Sequence, residues 1–112
     1  TMESESAILA LAALAQPTRL EVFRLLVRHE PVGRPAGEIA EAVGVPANTL
    51  SSHLAILARA GLVRSERRSR SIIYRADLEG LRTLVLFLLK DCCGGRADIC
   101  APLMDELATC CD

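Results

Sequence analysis

The feature that most constrains the fold is a pair of short helical patterns joined through a glycine in the middle of the chain. In the first, over residues 36–43, apolar side chains recur at helical spacing. Gly44 follows, at the position where a helix commonly ends in a left-handed conformation. Pro46 opens the second pattern, which ends at Gly61 and has one apolar stripe, formed by Leu50, Leu54 and Leu57. A helix, a tight turn and a second helix predict a helix-turn-helix.

Two further helical patterns precede this unit. Residues 5–15 are rich in alanine and leucine, which favour helices, and Ile8, Leu11 and Leu14 recur at helical spacing. Pro17 is tolerated at the first position of a helix and starts a second pattern that runs to about His29. A loop with two prolines and a glycine separates it from the helix-turn-helix.

The pattern changes after Gly61. Residues 62–66 and 71–76 contain the β-branched and aromatic residues of strands, and the polar segment Arg67–Arg70 suits a hairpin tip. Asp77 can cap a last helix, over 78–92, that is apolar almost all round. The predicted fold is therefore mainly α with one β-hairpin: a winged helix-turn-helix in the order ααααββα, with residues 1–112 forming one domain.

The apolar content predicts a homodimer. The chain has only 112 residues, yet 51% of them are hydrophobic and its mean hydropathy is +0.30. A short chain buries a modest fraction of its surface, so surplus apolar residues need a second subunit. A last helix that is apolar on nearly every side is the natural place for that contact.

Polar residues on the second helix of the helix-turn-helix, and arginines on the hairpin, predict binding to double-stranded DNA. The helix would enter the major groove, where asparagine can read adenine and hydroxyls can contact bases or phosphates. Arginines on the hairpin would neutralise phosphates. A solvated helix face and a soluble hairpin would use similar residues, and His53 is equally compatible with a structural role. The predicted contacts are Asn48, Thr49, Ser51, Ser52, His53, Arg67, Arg68 and Arg70.

Overall charge adds little, because the formal net charge is −1. Its distribution is uneven: residues 62–76 hold five arginines and one acid, whereas the segment from Asp77 onward is acidic. No apolar run approaches the roughly 20 residues that span a bilayer. The start of the chain is acidic, unlike a signal peptide. We therefore expect a cytoplasmic protein with no membrane partner.

Five cysteines lie in the last 21 residues of the chain. Cys92 and Cys93 stand at the predicted end of the last helix, and two glycines let the chain turn back towards Cys100. Three thiolates favour thiophilic ions, and without a fourth ligand they suit trigonal As(III) or Sb(III) better than tetrahedral zinc. The alternatives are cadmium or lead, recruiting Cys110 or Cys111, reversible thiol oxidation or persulfide formation, and cysteines with no function in the tail.

Three stretches of the chain, residues 17–26, 38–44 and 50–63, resemble the ArsR/SmtB family of metal- and metalloid-responsive repressors. The third holds the more specific pattern, Ser-x-His-Leu followed by Ala-Gly-Leu-Val. The resemblance extends over about residues 5–89. It implies a homodimer built on the first and last helices, which binds an operator when free and releases it when an inducer binds.

The family's sensing sites occur in several places. The first helix of this helix-turn-helix lacks the cysteines of many arsenic sensors. The zinc sensors place Asp, His and Glu ligands on the last helix, which is apolar here and has no histidine. The chain resembles the subgroup whose As(III) site is a vicinal cysteine pair and a third cysteine just past the last helix. These correspond to Cys92, Cys93 and Cys100, which puts the inducer site at a cysteine-rich tail, residues 93–112.

Two other functional classes have weaker support. A small thiol enzyme would need an activated cysteine beside an anion-binding loop, or a Cys-x-x-Cys pair on a thioredoxin-like frame, and the sequence has neither. The second is a DNA-binding protein without a small-molecule inducer, which would respond to a partner protein instead. The sequence therefore predicts a repressor and not an enzyme.

Overall fold

The computed structural model describes residues 3–92 and 97–110, without the side chains of residues 90–92, 97, 99, 100, 109 and 110. In this part of the chain helices and three short strands alternate. The helices are α1 Ser4–Leu14, α2 Pro17–Arg28, α3 Ala36–Val43, α4 Ala47–Arg59, α5 Leu78–Cys92 and α6 Ala97–Cys110. The strands are β1 Arg34–Pro35, β2 Val63–Arg68 and β3 Ser71–Ala76.

The predicted class, a mainly helical winged helix-turn-helix, is confirmed, but the predicted order omits two elements. β1 forms in the predicted loop because Arg34 and Pro35 pair with Tyr74 and Ile73 of β3, a long-range contact with no local signal. α6 forms in the predicted tail, where alanine, leucine and methionine favour a helix despite Pro102. The observed order is ααβααββαα.

Local signals at the helix ends are confirmed. Gly44 ends α3 with a φ of +72°, in the left-handed region. Pro17 stands in the first turn of α2, and the side chain of Gln16 caps that turn by accepting from the backbone N–H of Arg19. The carboxylate of Asp77 accepts from the backbone N–H of Gly80 at 3.1 Å and caps α5. These contacts fix where α2, α3 and α5 begin or end.

The sheet is antiparallel, with β3 between β1 and β2. β2 and β3 pair along their whole length, from Val63 opposite Ala76 to Arg68 opposite Ser71. Ser69, in the two-residue turn, has a φ of +58°. This hairpin is the wing, and β1 ties its inner strand to the segment before α3.

The core lies between α1, α2, α3, α4 and the base of the wing. α4 contributes the predicted leucine stripe, and α1 contributes only alanines, whose small side chains let it approach its neighbours closely. The buried residues are Ala7, Ala10, Ala13, Val22, Phe23, Leu25, Leu26, Ile39, Ala40, Leu50, Leu54, Leu57, Leu62, Val63, Ala76 and Leu84.

Large apolar residues remain exposed on α1 and α5. The stripe predicted on α1 is not the buried one, since Ile8 and Leu11 are 65% and 42% exposed. On α5, Leu86 and Leu88 are exposed as well, whereas Leu84 is buried. The core thus uses the alanine face of α1, with Leu14 packed partly against it, whereas Ile8 and Leu11 lie on the outer face.

α6 has no buried face in the part that the structure describes. All side chains from Ala101 to Ala108 are exposed, although these eight consecutive residues point in every direction around a helix. Its apolar members are exposed at Leu103, Met104 and Leu107. In the described residues, no helix is both long and apolar enough to cross a bilayer.

Candidate nucleic-acid interface

The second helix of the helix-turn-helix, α4, separates its residues by face. Its leucine stripe is buried, while Asn48, Thr49, Ser51 and Ser52 are exposed. The hydroxyl of Ser52 donates to the carbonyl oxygen of Asn48 at 3.4 Å, one turn earlier in the helix, and the side chain stays exposed. The predicted reading residues therefore form one polar surface along the first half of α4.

His53 differs from these four residues because it is half-buried. Its Nδ1 lies 3.4 Å from Nη1 of Arg19, a residue of α2. Nε of the same guanidinium donates to the carbonyl oxygen of Ala13, near the end of α1, at 2.6 Å. The structural role considered for His53 is thus supported by a contact, and its DNA-binding role stays a prediction.

The three predicted wing arginines do not have equal freedom. Arg67 and Arg70 are exposed and make no hydrogen bond or ion pair with the described residues. Arg68, in contrast, donates through Nη1 to the carbonyl oxygen of Val32 at 2.8 Å and pairs through Nη2 with Glu66. Arg67 and Arg70 are therefore the two that can reach phosphate without breaking a contact.

A two-point ion pair fixes the base of the wing. Nε and Nη2 of Arg75 donate to the two carboxylate oxygens of Glu30 at 3.0 and 2.9 Å. These hydrogen bonds, with the charges of Arg75 and Arg64, hold the pKa of Glu30 below its usual value against the opposing effect of burial. Arg75 is thus a structural arginine, although the sequence gives it no signal different from its neighbours on the hairpin.

α4 and the wing are neighbours in space. α4 packs against β2, and the chain passes from one to the other through Gly61, whose φ is +78°. The backbone N–H of Asp77, at the end of β3, donates to the carbonyl oxygen of Leu62 at 2.8 Å. The polar face of α4 and the arginines of the wing therefore belong to one continuous module.

The predicted cysteine site lies largely outside the described residues. Cys92 is the last residue of α5 and Cys100 is in α6, but neither side chain is described, and Cys93 lies outside the described ranges. Cys110 ends α6 without a described side chain, and Cys111 lies outside as well. Among the side chains that are described, no three His, Cys, Asp or Glu residues form a metal-binding group. The cysteine site stays a prediction.

Arg19 and Glu30 each make a long-range side-chain contact that no sequence pattern predicted. Arg19 belongs to the Pro-Thr-Arg run at the start of α2, and a charged side chain so near a helix start was its only signal. Its contact with His53 spans 34 positions, and that of Glu30 with Arg75 spans 45. No periodicity reveals pairs so far apart.

Comparisons with known proteins agree with this architecture. Residues 14–66 match a family model for a helix-turn-helix domain. The regulator YgaV of Escherichia coli is 31% identical over 85 residues, which cover 76% of this chain and 84% of YgaV. The regulator KmtR of Mycobacterium tuberculosis is 42% identical over 73 residues, covering 65% of this chain and 54% of KmtR. The chain spans about half the length of the curated relatives that match it first.

A solved structure extends the likeness to the fold. The homodimeric winged helix-turn-helix DNA-binding domain of a possible ArsR-family regulator from Mycobacterium bovis superposes with a TM-score of 0.64 at 26% identity, covering 80% of this chain and 82% of that one. Such relatives are DNA-binding transcription regulators and not enzymes. By its sequence and its fold, this chain belongs to the ArsR/SmtB family of winged helix-turn-helix transcription regulators.

Proposed function

We propose that this chain is a dimeric transcriptional repressor that binds operator DNA and releases it when its cysteines bind trivalent arsenic or antimony. The observation that carries the DNA-binding part is the exposed polar face of α4 beside a wing whose exposed Arg67 and Arg70 make no ion pair with the described residues. We expect such a regulator to act in the cytoplasm.

Two kinds of contact would hold the DNA: contacts with base edges from α4 and contacts with phosphates from the wing. Asn48 and Thr49 lie in the first turn of α4, the end of a recognition helix that approaches base edges. Arg67 and Arg70 would neutralise phosphates, which adds affinity that depends on salt and not on sequence. The buried leucine stripe holds the reading face at a fixed angle to the wing.

The dimer would form through α1 and α5. Ile8 and Leu11 are exposed on α1, as are Leu86 and Leu88 on α5, and each exposed apolar side chain is stabilised by burial in an interface. The relative from Mycobacterium bovis is a homodimer. Two copies of α4 can then meet operator half-sites about one helical turn apart.

The inducer site would connect to this dimer layer through α5. Cys92 closes α5, and Cys93 and Cys100 follow it in sequence. At its other end, α5 lies directly against the end of the helix-turn-helix. The approach is so close that a Cβ on Gly80 would overlap the carbonyl oxygen of Gly61. We propose that metalloid binding shifts α5 and thereby the spacing of the two reading helices.

The DNA-binding part is tested with duplexes selected by this protein from a random pool. Asn48→Ala and Thr49→Ala should each weaken binding to the selected duplex about tenfold, with little effect on unrelated DNA. Arg82→Gln, an exposed arginine on α5, serves as the control and should bind like the wild type. A protein that selects no sequence, or reading variants with unchanged affinity, would refute this part.

The inducer is identified by titrating the protein–operator complex with arsenite, antimonite, cadmium, zinc and peroxide. Release by arsenite and antimonite at the lowest concentrations supports the three-thiolate site. Release by cadmium alone would assign the cysteines to a divalent soft metal, and release by peroxide alone would assign them to redox sensing. Either result contradicts the arsenic proposal.

A further inference from the structure

Arg19 joins three helices at one point. Its backbone N–H donates to the Gln16 side chain at the start of α2, and its guanidinium contacts Ala13 near the end of α1 and His53 on α4. Nε donates to the Ala13 carbonyl oxygen, one of the last four carbonyls of α1, which lack partners within their helix. Arg19 therefore connects a predicted dimer helix to the reading helix.

The contact with His53 has a defined direction. A guanidinium only donates hydrogen bonds, so the Nδ1 atom of His53 that faces it must be the acceptor. A neutral imidazole with an unprotonated Nδ1 carries its hydrogen on Nε2. The pair therefore selects one tautomer of His53, in which the remaining nitrogen is a hydrogen-bond donor.

His53 also lies next to the reading residues. It follows Ser52 directly and stands one helical turn after Thr49 on the same helix, and it is only half-buried. Within the described residues it has no hydrogen-bond partner other than Arg19. An Nε2–H donor at this place matches the acceptors of DNA, which are phosphate oxygens and purine N7 or O6 atoms.

We propose that Arg19 is a positioning residue for DNA binding, which does not touch DNA but fixes the tautomer and orientation of His53 so that Nε2 donates to the operator. This inference rests on the proposed DNA-binding function and assigns it a residue outside the helix-turn-helix. It also gives α1 a physical link to the reading helix, because the same guanidinium holds the Ala13 carbonyl.

Operator binding measured as a function of salt separates positioning from direct phosphate contact. Arg19→Gln and His53→Ala should each weaken binding to the selected duplex about tenfold, and the double variant should be no weaker than either one. The dependence of affinity on salt should not change in Arg19→Gln. An arginine on a phosphate would instead lower the slope of log affinity against log salt by about one, and that result would overturn the proposal.

Arg24→Gln is the matched control. Arg24 lies on the same helix and is exposed, and it makes no ion pair with the described residues, so the substitution removes the same charge without a contact. It should bind DNA like the wild type. A loss equal to that of Arg19→Gln would show a general charge effect and would contradict positioning.

The tautomer of His53 is read directly from nitrogen-15 NMR of the wild-type dimer, with His53→Ala to assign the signal. We expect an unprotonated Nδ1 and a protonated Nε2, and a mixture of tautomers in Arg19→Gln. A proton on Nδ1 in the wild type would refute the proposal even if the variants failed to fold. A wild type with the expected tautomer but no DNA binding would refute the proposed function, and with it the role in DNA binding.

Discussion

The guanidinium of Arg75 donates a hydrogen bond to each carboxylate oxygen of Glu30, from Nε to Oε1 at 3.0 Å and from Nη2 to Oε2 at 2.9 Å. The side chains are only 18% and 12% exposed, so solvent screens this pair less than a surface ion pair. Arg75 is in the central strand of the sheet and Glu30 follows α2. The pair therefore fastens the wing to the helical core, and the position of Arg67 and Arg70, the proposed phosphate contacts, depends on it.

Replacing Glu30 by Gln should loosen the wing. The substitution removes the charge while keeping nearly the same shape, so Arg75 loses a two-point acceptor and keeps at most one weaker hydrogen bond. We expect a melting temperature lower by a few degrees and operator binding weaker by about threefold. Calorimetry and DNA titration measure both. Glu38→Gln is the control, because Glu38 is exposed and its carboxylate lies 3.8 Å from Arg34, at the limit of an ion pair. An equal loss of stability and of operator binding in Glu38→Gln would show that the Glu30–Arg75 pair has no special role in holding the wing.

The same pair predicts a pH dependence. The pKa of Glu30 is lower in the folded protein than in the unfolded chain, first because Arg75 donates to its carboxylate. A depressed carboxyl pKa stabilises the fold above the unfolded value, about 4.3, and this stabilisation is lost as pH falls through the folded pKa. Wild-type stability should thus fall more steeply than that of Glu30→Gln below about pH 4.5. Parallel curves in urea titrations would be the contrary result.

Gly33→Ala should destabilise the protein by about 2 kcal/mol or more, because an added Cβ meets both strain and neighbours. The φ of Gly33 is +76°, and a Cβ there would lie 2.7 Å from the carbonyl oxygen of Tyr74 and from side-chain carbons of Ile73 and Arg75. Gly37→Ala is the opposite case: it lies in α3 with open space around it and should stabilise the helix by about 0.5–1 kcal/mol. Equal free energies of unfolding for Gly33→Ala and Gly37→Ala in urea denaturation would contradict the close packing around Gly33.

The elements that local chemistry specifies were predictable from the sequence. The leucine stripe of α4, the left-handed Gly44 and the Asp77 cap depend on residues a few positions apart, and the structure contains all three. The strand β1 and the pairs Arg19–His53 and Glu30–Arg75 depend on distant segments, which periodicity does not connect. On α1 the larger side chains marked one stripe, but the alanine face is buried because small side chains allow the helix to pack closely.

Substitutions of the wing arginines should have different effects, because Arg68 makes contacts within the protein and Arg67 and Arg70 make none with the described residues. Arg67→Gln and Arg70→Gln should each weaken binding to specific and unrelated DNA alike and lower the salt slope by about one. Arg68→Gln should instead lower the melting temperature, since its guanidinium holds the Val32 carbonyl oxygen and Glu66. Salt-dependent titrations combined with thermal melts measure the difference. A salt slope that changes only in Arg68→Gln would reverse the assignment.

The dimer interface is tested by introducing charge on α1. Ile8→Glu should weaken dimerisation at least tenfold. Ile8 is 65% exposed in the subunit, and a glutamate at this position would have its carboxylate buried in the proposed dimer interface. Leu20→Glu is the matched control, since Leu20 is an apolar residue of α2 that is 44% exposed. Sedimentation equilibrium should give a monomer for the first and a dimer for the second. Dimers of equal affinity would exclude α1 from the interface.

We expect the cysteines at and after the end of α5 to control the release of DNA. The decisive measurement is the operator affinity of wild type, Cys100→Ser and Cys110→Ser, each with and without arsenite. All three should bind equally well without arsenite, and arsenite should release the wild type and Cys110→Ser but leave Cys100→Ser bound. Release of Cys100→Ser at the wild-type arsenite concentration, or loss of its operator binding without arsenite, would contradict this expectation.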